Sequence, residues 1–241
     1  MRIAVEVPIS GGDTAAAEAQ ARAAAARQAV SQVALTFTSP AAAANAPAVE
    51  DVAGRPELAR ETRITTADPS PTVLKARVDV VVRLVPLIAA LHEKGLLPAR
   101  RVAVQITEPQ PEGAAGGGTA QVAITRQLLA AGYQVQVSPP QALAAGVDPK
   151  RLPTADVVII GTASSEPAPT PMAVAGFSSA RARVEAQAVA VETGRVIAAE
   201  AASGAGADLD PASAAKKSIE ATADRVALTL VVKLASDAAK P

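Results

Sequence analysis

Apolar and polar positions alternate over residues 3–9 (Ile-Ala-Val-Glu-Val-Pro-Ile), which predicts a first strand, Ile3–Ile9. Gly11-Gly12-Asp13-Thr14 then reads as a turn handing over to a helix, with Asp13 or Thr14 as N-cap. Over residues 15–35, Ala19, Ala23, Ala26, Val30 and Val33 recur at spacings of four and three. That predicts a helix with one apolar stripe, and the small residues on it imply close approach to a sheet. From Ser39 to Pro71 the pattern dissolves among Pro40, Pro47, Pro56, Pro69 and Pro71. A long loop is expected there, with one short strand at Arg63–Thr66. Alternation returns over Val73–Leu84, with Leu74, Ala76, Val78, Val80 and Val82 on one face and Lys75, Arg77 and Asp79 on the other. A short helical segment follows from Pro86-Leu87 through Leu91 to Gly95, and Pro98 divides the chain into domains 1–98 and 99–241.

The second domain opens with the strand Val102–Thr107, a glycine-rich loop and a helix over 119–131 that Gly132 stops. Tyr133–Val137 alternates as a strand. Asp156–Ile160 is a run apolar on both faces, expected to end at Gly161, with a loop after it over Glu166–Met172. Ala180–Thr193 alternates, with Ala182, Val184, Ala186 and Ala188 against Arg181, Arg183, Glu185 and Gln187. Thr193-Gly194 turns it back into Arg195–Ala201, a β-hairpin. Gly204–Asp210 reads as a loop, and Asp210-Pro211 starts a last helix whose buried stripe is Ile219, Ala223, Val226, Leu230 and Leu234. The tail from Ser236 to Pro241 is expected to fray. The fold class is therefore α+β: two helix-on-sheet sandwich domains, the second with a mixed sheet and a β-hairpin.

Composition narrows the chemistry. Alanine supplies much of the 49% apolar content, and Phe37, Tyr133 and Phe177 are the only rings in 241 residues. A core of Ala, Val, Leu and Ile replaces a few large contacts with many small ones. Base-stacking platforms and aromatic hot spots are excluded, and a net charge of zero supplies no field for nucleic acid or an anionic membrane. Without cysteine there is no disulfide and no thiolate chemistry. No run of 18 apolar residues predicts a transmembrane helix. Met1-Arg2 leads directly into an alternating strand rather than a signal-peptide core, which taken literally predicts a cytosolic protein. An export signal upstream would instead place it in the periplasm or at the outer membrane.

Few residues offer themselves for chemistry. Gly116-Gly117-Gly118-Thr119 ends a glycine-rich loop ahead of a helix, where backbone N–H groups could hold a phosphate. No lysine precedes Thr119, so it is no P-loop, and the blander reading is a loop with Thr119 as N-cap. His92 is the single histidine and reads as structural, so any metal would need carboxylates and be of the hard-cation type. The hydroxyl pairs Ser164-Ser165 and Ser178-Ser179 match no nucleophile elbow and read as loop polarity. Arg181, Arg183 and Arg195 are expected on the outer face of the hairpin, where a solvated face competes with partner docking. No cofactor, no metal and no enzymatic reaction are expected from this inventory.

Two segments carry a family resemblance. Val5-Glu6-Val7 through Ile9 and Gly11-Gly12-Asp13, then Ala21-Arg22 to Arg27-Gln28-Ala29-Val30 and Leu74–Val82, resemble the N-terminal domain of the flagellar assembly protein T family. Ala155-Asp156-Val157-Val158-Ile159-Ile160-Gly161, followed by Val184-Glu185-Ala186 to Thr193-Gly194-Arg195-Val196, resembles that family's middle domain. The middle domain is in turn similar to the N-terminal domain of the Tol–Pal translocation protein B and to the curli secretion channel family. The resemblance implies a non-enzymatic cell-envelope assembly or scaffold protein that docks other envelope proteins or itself, as a homo-oligomer. The alternative from the residues alone is a small-molecule or phosphate-binding module using loop 113–119.

Overall fold

The computed structural model describes residues 1–70, 72–109, 118–137, 155–168 and 176–240. The chain is an α+β protein that divides into two compact units, one of Met1–Pro98 joined by the residues from Ala238 on, the other of Ala99–Asp237.

In the first unit, strand β1 (Arg2–Pro8) leads through a turn into helix α1 (Thr14–Thr36). Asp13 caps α1, its Oδ1 accepting from the Ala16 N–H at 2.9 Å. Short helices α2 (Pro40–Ala43) and α3 (Ala46–Ala53) follow, then a 3₁₀ turn at Pro56–Leu58. Strands β2 (Ala59–Pro69) and β3 (Val73–Val82) and helix α4 (Leu84–Glu93) complete the unit. The sheet is antiparallel in the order β1-β3-β2, and α1 lies on the face formed by Ile3, Val7, Leu74, Ala76, Val78 and Val80.

Two expectations fail here. The buried stripe of α1 is Ala17, Ala21, Ala25 and Ala29 with Val30, while Ala19 and Ala23 are exposed. In a helix that is alanine on every side, apolar counting cannot choose a face; the sheet takes the stripe with unbroken four-residue spacing. Residues 39–70 are not a long loop, although the short strand expected at Arg63–Thr66 falls inside β2. Pro40 and Pro47 stand in the first turns of α2 and α3, and Pro56 opens the 3₁₀ turn, so three prolines mark starts rather than breaks. Beyond them β2 is eleven residues long, and two register shifts, at Ala59/Glu61 and Ile64/Thr66, disturb the alternation that would have announced it.

The second unit runs β4 (Arg101–Thr107), α5 (Thr119–Ala130), β5 (Gln134–Val137), β6 (Val157–Pro167), β7 (Ser178–Ala190), β8 (Val196–Asp208) and α6 (Pro211–Ala238). Its sheet is mixed, in the order β5-β4-β6-β7-β8, with β4 parallel to both neighbours and the other pairs antiparallel. Helices α5 and α6 are tied side by side by Arg126, which reaches Glu220 and Asp224 at 2.9 Å each. Of the expected α6 stripe, Ala223, Val226, Leu230 and Leu234 are buried, whereas Ile219 is only partly so.

Both long strands outrun their predicted ends. Gly161 does not terminate β6, which continues to Pro167. At Gly161 the backbone of β7 comes so near that an added Cβ would overlap the Glu185 carbonyl oxygen. Residues 204–208 are not a loop but the last stretch of β8, because Gly204 and Gly206 let α6 lie directly on the strand. A Cβ at Gly206 would fall 2.7 Å from the Ser218 nitrogen and 3.0 Å from the Ala214 oxygen. The C-terminal tail does not fray from Ser236 either: Asp237 is 7% exposed at the end of α6.

Candidate functional site

The β7–β8 hairpin is the longest feature of the second sheet, and its two faces differ in kind. Ala180, Ala182, Val184, Ala186 and Ala188 are buried beneath the helices. The opposite face carries Arg181, Arg183, Glu185 and Gln187 on β7, and on β8 the exposed small residues Ala199, Ala201, Ser203, Ala205 and Ala207. Arg181 stands across from Glu166 of β6, and Arg183 across from Ser164. Arg183 Nε donates to Glu185 Oε1 at 2.6 Å on its own strand. Beside these cations Ile160, Thr162, Gln187, Ala199 and Ala201 line a shallow depression of about 570 Å³.

Arg195 does not join Arg181 and Arg183. It sits in the turn, and its guanidinium reaches Asp237 Oδ1 at 2.8 Å; Arg100 takes the other carboxylate oxygen at 2.9 Å. The misplacement follows from the irregularity at Ala188/Val189, which breaks the simple alternation from β8 back into the turn. Burial pushes the Asp237 carboxyl up, but hydrogen bonds from Arg100 and Arg195 outweigh it and hold the group below its ordinary value.

β8 is an edge strand. At the turn the Ala190 N–H donates to the Arg195 carbonyl at 2.9 Å, so the even residues of β7 face β8 with their backbone groups. Alternation then points the N–H and C=O groups of Ala199, Ala201, Ser203, Ala205 and Ala207 away from β7. The Ser203 carbonyl lies on that outer side, accepting from Arg225 Nη2 of α6 at 2.6 Å. Two further cations of α6 reach the same strand: Lys217 pairs with Asp208, and Lys233 with Glu200. The three lie eight residues apart, so each is rotated by about 80° from the last, and they meet β8 in turn at Asp208, Ser203 and Glu200.

At the head of α5 the arrangement disfavours a phosphate. Gly116 and Gly117 lie outside the described residues. Gly118 is the N-cap, with φ +111°, a conformation glycine adopts without strain. Thr119 is thus the first helical residue and not the cap. The Ala120 N–H, a donor that a phosphate would use, is given to Glu108 Oε1 at 2.6 Å. A carboxylate already complements the positive end of the helix. His92 is partly buried in the last turn of α4. Ser164, Ser165, Ser178 and Ser179 are strand residues of β6 and β7, not loop residues, and the Ser165 hydroxyl is buried. Among the described residues no three His, Asp or Glu side chains gather as metal ligands, and no helix is long and apolar enough to cross a membrane.

Sequence reasoning found Arg181 and Arg183 but missed the row of α6 cations, Asp237 and Glu108. Lys217, Arg225 and Lys233 share no single face of α6, so periodicity carries no signal for a row set only by where the helix meets β8. No family model and no curated protein matches the chain. Solved structures match weakly. A hypothetical protein from Chlamydia trachomatis is 11% identical with a TM-score of 0.39, over 57% of this chain and 96% of that one. A lipoprotein from Neisseria meningitidis is 18% identical at 0.36, over 47% and 86%. The PelC dodecamer from Paraburkholderia phytofirmans is 20% identical at 0.35, over 59% and 89%.

Proposed function

We propose that this chain is a non-enzymatic assembly or scaffold protein of the bacterial cell envelope, with a role like that of the first two domains of flagellar assembly protein T, and that it works by docking other proteins. The observation that carries the reading is the open face of the hairpin. There two exposed arginines, Arg181 and Arg183, stand beside a strip of exposed alanines and a serine on β8. Arginine keeps its charge and offers a planar fork to a carboxylate, and a strip of small side chains lets another backbone come close. Such a face suits a partner with an acidic rim and a flat centre.

The test is light scattering on a sizing column at several concentrations, for the parent chain and for the double variant Arg181→Glu with Arg183→Glu. A discrete assembly, or a mass rising steeply with concentration, that the double variant abolishes supports docking through this face. A strict monomer at high concentration, with no mass shift on mixing with an envelope extract, overturns it.

A further inference from the structure

We infer that the free edge of β8 is built to add a second copy of this chain, β8 against β8 in antiparallel register about Ser203, with Arg225 as the latch over the pairing site. This deepens the docking reading and rests on it for the premise that the hairpin is an interface. The edge is long, and among the described residues only Arg225 is hydrogen-bonded to one of its outward backbone groups. From Ala199 to Ala207 every residue whose backbone groups face outward is Ala or Ser, and the strand has no proline. Natural edge strands are usually blunted by lysine, proline or a bulge, and an edge without such a device is a template for strand addition.

The occupant follows from self-complementarity. Centring the pair on Ser203 sets Ala199 opposite Ala207 and Ala201 opposite Ala205, in both directions, as a two-fold interface requires. On the α6 side Glu200 falls opposite Gly206, where no side chain competes for space. The Glu200–Lys233 pair of one copy then comes beside the Asp208–Lys217 pair of the other, so that each carboxylate at the seam brings its own cation with it. A partner with large side chains on its strand would not match the alanine strip. Arg225 holds the Ser203 carbonyl at the centre of the register, so pairing requires its side chain to swing away.

Two variants and one cross-link test the inference. Pro at residue 205 removes only an N–H that faces away from β7, so Ala205→Pro keeps the internal ladder while blocking the edge. Arg225→Ala frees the Ser203 carbonyl and is expected to tighten self-association about tenfold, the scale of one hydrogen bond to a charged group. Ser203→Cys introduces the only cysteine of the chain. Under mild oxidation it is expected to give a covalent dimer, since paired Cα atoms in such a ladder lie about 5.5 Å apart, within disulfide reach. If Ala205→Pro fails to fold, the cross-link alone decides. An assembly that survives Ala205→Pro, with no Ser203→Cys dimer, overturns the β8 pairing and leaves docking through the arginine face standing. Parent and Arg225→Ala both monomeric at high concentration, again with no cross-link, overturns the pairing; if an envelope extract also leaves their mass unchanged, docking falls with it.

Discussion

At the scale of single residues, the chain concentrates its sensitivity where backbone meets backbone. Gly161 of β6 has the Glu185 carbonyl where a Cβ would go, so Gly161→Ala must force β6 and β7 away from each other. Overpacking of this kind costs about 2–3 kcal/mol, to be read from the urea midpoint at constant slope. Asp237 is sensitive for a different reason, as a buried side-chain charge. Asp237→Asn removes a buried carboxylate from two guanidiniums and should cost about 2 kcal/mol at neutral pH. Because its folded pKa is depressed, that contribution is full above the unfolded value of about 3.9 and fades as pH falls through the folded one. The gap between parent and variant should therefore narrow in acid. Tyr133 runs the opposite way. Burial pushes its hydroxyl well above the ordinary tyrosine value, against a small opposing effect of Arg100. With one tyrosine and no tryptophan, absorbance near 295 nm reports it alone. It should stay neutral as pH passes about 10 and ionise only as the unit opens, since the folded state loses stability above the unfolded pKa.

At the scale of elements, what could be read from the sequence was periodicity, and what could not was contact. β3 was legible residue by residue because Leu74, Ala76, Val78 and Val80 alternate with charged neighbours over a full strand. β7 was legible for the same reason. α1 was legible as a helix but not as a face, because alanine carries no amphipathic signal when it is everywhere. β8 past Ala202 was illegible, since Gly-Ala-Gly-Ala reads as loop until a helix is known to lie on it. Among the candidate docking residues, Arg181 and Arg183 followed from alternation alone, and Arg195 failed because one irregularity breaks it. Of the two residues offered as the cap of α1, Asp13 holds the place. Asp13→Ala should cost about 1 kcal/mol, seen as a lower melting temperature, while Thr14→Ala, which supplies no cap bond, should cost little.

At the scale of the whole molecule, the two units share one economy of means: both build their cores from small aliphatic residues, with almost no rings. Ala17, Ala21, Ala25 and Ala29 on α1 and Ala180, Ala182, Ala186 and Ala188 on β7 are buried in place of larger side chains. Helix and sheet consequently approach closely, and tolerance is one-sided. Ala21→Leu should destabilise by about 1–3 kcal/mol through overpacking, whereas Ala19→Leu, on the exposed side, should be neutral in the same melt. Electrical neutrality acts globally as well. With a sequence pI near 6.6, self-association through any exposed surface meets no long-range repulsion there, and turbidity should peak close to that pH and fall on either side.

The seating of α6 on Gly204 and Gly206 has a consequence for descent. At Gly206 the strand meets the backbone of α6, and at Gly204 it meets the Thr222 and Arg225 side chains, so neither element can change size independently. A related chain with a larger residue at 206 must also have moved its helix outward, and with it the cation that reaches Ser203. Drift at one glycine would therefore be recorded as a coordinated change in sequence positions far apart along the chain.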